Sequence, residues 1–122
     1  MESPYKGKTG LRRLINALGY SRDGLKTAYK NEDAFRQEVL LAVILIPLAF
    51  VVESAAIPRT LLVGSVLLVL IVELLNSAVE ATVDRISLDH HQLAKRAKDI
   101  GSAAVLLSLV NLAVVWGLIL FS

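Results

Sequence analysis

The chain has 122 residues, 55% of them hydrophobic, a net charge of +2 and no cysteine, and its mean hydropathy is +0.61. That length suits one domain rather than two, residues 1–122 forming a single unit, and the apolar content is too high for a soluble domain of this size. Without cysteine there is no disulfide framework, thiolate metal site or cysteine nucleophile.

Three long apolar runs account for the hydropathy, and a chain that crosses lipid on such runs must satisfy its backbone within helices. The expected class is therefore an all-α membrane protein with three transmembrane helices, near residues 32–52, 60–84 and 100–121, plus an N-terminal amphipathic surface helix near residues 10–30. The basic residues are unevenly placed. Lys6, Lys8, Arg12, Arg13, Arg22, Lys26, Lys30 and Arg36 precede the first span, Arg59 alone lies between the first two, and Arg85, Lys95, Arg96 and Lys98 lie between the second and third. The positive-inside rule puts the N-terminus and the second loop in the cytoplasm, and the first loop and C-terminus on the far side. A basic surface beside spans meets anionic lipid or phosphate rather than nucleic acid.

In chain order, residues 1–9 hold Ser, Pro, Gly and Lys and are expected to fray. Leu11, Leu14, Ile15 and Leu18 then recur at helical spacing with Arg12, Arg13 and Asn16 opposite, a pattern suited to the membrane surface. Gly19-Tyr20-Ser21 reads as a break, with Ser21 as N-cap of a second stretch. From Leu25 the stripe runs through Ala28, Glu32, Phe35 and Val39, which puts Glu32 on the inward face. Residues 39–52 are fourteen apolar residues, short of the roughly 20 a span needs. Residues 34–38 complete it if their long side chains snorkel to the interface. Ser54-Ala55-Ala56 resembles a signal-peptidase site, but the polar region ahead of the run is too long for a signal peptide. The run is read as a retained span. Pro47 is a candidate kink, residues 53–59 read as a loop containing Pro58, and residues 86–99 as a charged cytoplasmic segment. Trp116 suits the far-side aromatic belt.

The second span carries the chemistry-bearing stretch, Val-Glu-Leu-Leu-Asn-Ser-Ala-Val-Glu-Ala-Thr-Val-Asp-Arg (residues 72–85). Spacings of three and four put Glu73, Asn76, Glu80 and Asp84 on one helix face. A charge near the bilayer centre costs about 2.5–3.5 kcal/mol on insertion scales, so such groups mark function by default. Ser77 and Ala81, and Ala78 and Thr82, are small pairs that allow close helix approach.

No phosphate-loop, dinucleotide-turn, protein-kinase or zinc-protease motif occurs. His90 and His91 would point about 100° apart on a helix, and in a polar segment such a pair is more often solvated than metal-bound. Carboxylates on two helices are hard oxygen ligands suited to Mg²⁺, which keeps waters and binds substrate phosphates. Glu73, Asn76 and Glu80 combine with Glu32, Arg13, Lys98 and Asp99 as the candidate set, in which Lys98 and the N-terminal arginines can neutralise phosphate charge. Glu73 lies two turns deeper than Glu80, where a carboxylate can accept a proton from an alcohol. These are the parts of phosphoryl transfer. The bland alternative is that the stripe only holds helices together.

The chain resembles the small bacterial membrane diacylglycerol kinases. The resemblance rests on Gly19-Tyr20-Ser21, Gly24-Leu25, Asn31-Glu32, Ala34-Phe35-Arg36-Gln37-Glu38, the block of residues 72–81, Val83-Asp84-Arg85, Arg96-Ala97-Lys98-Asp99 and Gly101-Ser102-Ala103-Ala104-Val105. It implies a homotrimeric bundle in the bacterial inner membrane, with sites composed between protomers, and MgATP-dependent phosphorylation of diacylglycerol to phosphatidic acid. By position it implies that Glu73 is the general base, supported by Asn76, and that Glu32 and Glu80 hold Mg²⁺. ATP would meet Arg13, Tyr20, Glu32, Glu80, Asp89, His90, His91, Lys98 and Asp99. Lipid would meet Arg13, Ala34, Phe35, Arg36, Gln37, Glu38, Glu73 and Ser102. Arg22 and His90 stand where the family often carries an aromatic, so no adenine contact is assigned. An undecaprenol kinase uses the same parts on another long-chain alcohol. A small multidrug exporter, also built around a membrane glutamate, and a purely structural membrane protein are the rivals of other classes.

Overall fold

The computed structural model describes residues 9–86 and 92–122, all helix apart from short joints and ends. The segment expected to fray and the Asp89-His90-His91 turn lie outside the described residues, apart from Thr9. Four helices follow one another: α1 (Gly10–Asn31), α2 (Asp33–Val52), α3 (Ala56–Ile86) and α4 (Gln92–Phe121). The last three are each long and apolar enough to cross a membrane. This is the expected all-α membrane architecture with a surface helix ahead of three spans.

Three boundaries differ from the sequence expectation. α1 runs unbroken through Gly19-Tyr20-Ser21, and Ser21 does not cap a new helix. Its hydroxyl donates to the carbonyl of Ala17, 2.8 Å away, one turn back. A serine that bonds backward within a helix needs no chain break. The turn falls instead at Glu32, whose extended backbone (φ −116°, ψ 108°) separates α1 from α2. The 53–59 loop is also shorter than expected, because α3 already begins at Ala56. Pro58 sits in its first turn, where a missing N–H leaves no hydrogen bond broken. Likewise α4 starts at Gln92, inside the segment read as a charged connection.

The two ends of α2 are tied by arginines. Arg36 donates from Nη1 to the carbonyls of Tyr29 (2.7 Å) and Lys30 (2.9 Å), covering the C-terminal end of α1, and its Nη2 pairs with Asp33. At the opposite end Arg59 donates to the carbonyls of Glu53 (2.9 Å) and Phe50 (3.2 Å) and lies 4.6 Å over the Phe50 ring. Both arginines satisfy carbonyls that a helix end leaves without partners.

α3 packs against both α2 and α4. The apolar core joins Ala42 and Ala49 of α2, Leu62 and Val66 of α3 and Trp116 of α4. Alanines spaced seven apart keep one face of α2 small, so the backbones approach closely where lipid offers no hydrophobic drive. Trp116 does not face an aromatic belt. It is buried, and its indole N–H is shared between the Leu62 carbonyl and Ser65 Oγ, both at 3.2 Å. A buried indole N–H needs an acceptor, and α3 supplies two. Trp116→Phe keeps a ring and removes this bond. It should cost roughly 0.5–1.5 kcal/mol, read as a lower unfolding midpoint in detergent with turnover largely kept.

At 1.5 Å per residue, the 31 residues of α3 span about 46 Å, against about 30 Å for a hydrocarbon core. α3 therefore extends beyond the hydrocarbon. Its polar last turns, with Glu80, Asp84 and Arg85, are the end suited to an aqueous boundary.

Candidate active site

The polar stripe of α3 forms as the spacing predicts, and its members differ in surroundings. Glu73 is buried at 5% exposure, an unusual place for a carboxylate, while Asn76 and Glu80 are half-buried and Asp84 is exposed. Seven residues separate Glu73 from Glu80, about 10 Å along the axis. Glu73 lies within electrostatic reach of both Glu80 and Glu32. The α1–α2 turn has thus brought Glu32 to the same side of the molecule as the α3 stripe. α2 adds a fourth carboxylate. Glu38 feels the charge of Glu73, and its Oε2 is buried with no hydrogen-bond partner.

Asn76 lies between the two α3 glutamates. Its Nδ2 donates to Glu80 Oε1 at 3.3 Å, while its Oδ1 is buried with no partner. The sequence reading assigned Asn76 to support Glu73; its hydrogen bond among the described residues runs to Glu80. From α4, Lys98 Nζ meets Asp84 at 2.6 Å, joining the two helices, and Lys95 pairs with Asp99 at 2.7 Å along α4. Asp84 thus has Lys98 as its ion-pair partner rather than the neighbouring Arg85.

A groove of about 860 Å³ runs between α1 and α3, with Glu32 among walls formed by Leu25, Ala28, Leu74, Ser77 and Ala78. The small residues of α3 leave this space. An apolar groove with a carboxylate in its wall can take a long-chain molecule that carries a polar head.

The predicted site residues do not all share this surround. Glu32, Glu38, Glu73, Asn76 and Glu80 come together, and Lys98 is anchored to the same helix through Asp84. Arg13 and Tyr20 stand exposed on α1, and Ala34, Gln37, Asp99 and Ser102 are exposed. Phe35 is 3% exposed and packed inside. Arg36 is turned back onto α1. Asp89, His90 and His91 lie outside the described residues.

Two contacts were not expected from the sequence, although Glu38 and Glu73 were both assigned to the lipid. The nearness of Glu38 to Glu73 was visible in principle, since Phe35, Glu38, Ala42 and Ala49 follow one inward stripe. The second is Gly101. A Cβ there would collide with Asn76 Oδ1 and lie 3.2 Å from Asn76 Cγ. In the sequence it heads the block Gly101-Ser102-Ala103-Ala104-Val105 that carries the resemblance, and nothing there points to its contact with Asn76.

The donor set fits a hard divalent cation. Glu32 and Glu80 offer carboxylate oxygens, and the Asn76 amide can hold one oxygen of Glu80 from behind. Among the described residues no three acidic or imidazole groups converge on one point. Mg²⁺ is commonly held by one or two carboxylates, with water and substrate phosphate completing its octahedron.

The comparisons with known proteins bear on the chain as a whole. A family model described as "Prokaryotic diacylglycerol kinase" matches residues 19–120. A diacylglycerol kinase of Pseudomonas aeruginosa is 55% identical over 118 residues, covering 97% of this chain and 96% of its own length. One from Haemophilus influenzae is 56% identical over 113 residues (93% and 96%), and one from Escherichia coli 49% over 114 (93% of each). The matched stretch contains Glu32, Glu73, Asn76, Glu80 and Lys98. With three membrane-length helices and a near-complete match in length, the chain belongs to the prokaryotic diacylglycerol kinase family.

Proposed function

We propose that this protein transfers the γ-phosphoryl group of ATP to the free primary hydroxyl of diacylglycerol, giving phosphatidic acid and ADP. The observation that carries it is the buried Glu73 on one helix face with Asn76 and Glu80, in a chain similar over nearly its whole length to diacylglycerol kinases. The face runs from inside the bundle toward an aqueous boundary, so a membrane-bound acceptor and a water-soluble donor can meet along it.

In this reading the lipid hydroxyl lies against Glu73, whose carboxylate accepts its proton as the oxygen attacks the γ-phosphorus in line. The bond from that phosphorus to the β–γ bridging oxygen breaks, and ADP leaves. Such reactions depend on positioning and charge stabilisation more than on covalent chemistry. Glu32 and Glu80 would hold Mg²⁺ on the phosphates, and the bound ion supplies neutralising charge there. Lys98, placed by Asp84, faces the same negative charge. Glu38 would orient the head of the lipid beside Glu73, and Arg13, Tyr20, Asp99 and the 89–91 turn would complete the nucleotide side. The setting proposed is the bacterial inner membrane, with the basic N-terminal region and second loop cytoplasmic. A homotrimer would bring exposed α1 residues such as Arg13 against a neighbour's site.

The test offers labelled ATP with diacylglycerol and undecaprenol together in mixed micelles. Label should enter phosphatidic acid. Preference for the polyprenol would replace the substrate, and ATP-independent drug flux without transfer would replace the enzyme class.

A further inference from the structure

Gly101 and Asn76 meet where α4 crosses α3, and the contact has a direction. The Oδ1 side of the amide is buried against Gly101 with no hydrogen-bond partner, and the Nδ2 side reaches Glu80 Oε1 at 3.3 Å. A Cβ on residue 101 would clash with Oδ1, lie 3.2 Å from Cγ, and lie 3.9 Å from the Cβ of Asn76. The collision is thus with the amide group, and the backbones are far enough apart to accept a methyl once the amide is gone. A glycine that lets another group approach this closely is a steric requirement of the site rather than of its own helix. Gly64 and Gly117, also in spans, have nothing within 4 Å of where a Cβ would go.

We propose that Gly101 is a positioning residue for the metal side of the site, acting through the Asn76 amide on the Glu80 carboxylate. This rests on the kinase reading above, in which Glu80 holds Mg²⁺. The bare Cα of Gly101 makes room for the amide between the helices with its N–H donors turned to Glu80. The hydrogen bond holds one carboxylate oxygen and leaves the other for the ion. Groups hydrogen-bonded behind a metal ligand set its orientation, and their loss typically lowers metal affinity 10–100-fold. A methyl on residue 101 displaces the amide, releases Glu80, and should have an effect of that order without removing any ligand.

The experiment measures Mn²⁺ binding by electron paramagnetic resonance to the full protein in detergent, with a non-hydrolysable ATP analogue, alongside the Mg²⁺ dependence of turnover. Gly101→Ala should weaken Mn²⁺ binding about tenfold or more and raise the Mg²⁺ needed for half-maximal velocity in parallel. Gly117→Ala should change neither. Unchanged Mn²⁺ affinity in Gly101→Ala overturns the proposal even if turnover falls, since a merely structural defect lowers turnover without moving the affinity of the folded fraction. Asn76→Ala and the double variant Asn76→Ala with Gly101→Ala keep the test decisive should Gly101→Ala fail to fold. If Gly101 acts through the amide, both bind Mn²⁺ with the same weakened affinity, because the effects of residues in one chain of contacts do not add. A further tenfold loss in the double variant overturns the route through Asn76. Failure of the kinase reading shows separately, as wild-type protein that transfers no phosphate to diacylglycerol.

Discussion

Glu73→Gln should lower diacylglycerol phosphorylation by about 10²–10⁴-fold, the usual contribution of a positioned general base. Glutamine keeps the volume of the side chain and its carbonyl oxygen, so packing around this 5%-exposed position is little disturbed. What it removes is the ability to accept a proton. It also removes a buried carboxyl that lies near the carboxyls of Glu80, Glu32 and Glu38. A desolvated carboxyl beside others of its kind contributes nothing to folding that an amide would lose, so the unfolding midpoint of the variant should be equal to or above that of the parent. Loss of turnover with undiminished stability separates a chemical role from a packing role. Turnover within a few-fold of wild type would take the base role away from Glu73.

Glu80→Gln should behave differently at the same reaction. The substituted amide can still accept from Asn76 through its oxygen, so the local hydrogen bond at 3.3 Å can persist. The anionic ligand is gone. Because losing a group behind a ligand already costs 10–100-fold in metal affinity, losing the ligand's charge should raise the Mg²⁺ for half-maximal velocity by about 100-fold or more. Part of the velocity should return at high Mg²⁺, whereas Glu73→Gln should not respond to the ion. A titration of velocity against Mg²⁺ at fixed ATP reads both variants together. An unshifted Mg²⁺ curve in Glu80→Gln would remove the metal role from that residue.

The contrast between the two glutamates comes from depth along one helix. Both belong to the same stripe, but α3 carries Glu73 into the packed part of the bundle and Glu80 toward its end. In the proposed transfer the deeper carboxyl would serve an acceptor held in the membrane and the outer one a donor arriving from water. The Lys98–Asp84 pair at the same end of α3 is about half exposed on both sides. A pair this exposed is screened by solvent and adds little to stability, so its value here lies in placing a cation.

The amino-acid sequence by itself determined the class, the three spans and the stripe of Glu73, Asn76 and Glu80. Each depends on local composition or on a period of 3.6 residues, which the chain carries without reference to its neighbours. It also determined the family, because the blocks around residues 31–38, 72–85 and 96–105 need no fold to be compared. Only the tertiary structure decided which groups face one another. Glu38 beside Glu73, Lys98 on Asp84, Trp116 on Leu62 and Ser65, and Asn76 against Gly101 all depend on how the helices are rotated and staggered. In lipid that rotation is weakly written in sequence. A span such as α4 is apolar on nearly every side, since its solvent is as apolar as its core, and no hydrophobic face points inward. The break expected at Gly19-Tyr20-Ser21 and found at Glu32 has a related cause. Glycine and serine permit a turn without compelling one, and the chain turned where Arg36 could close the end of α1.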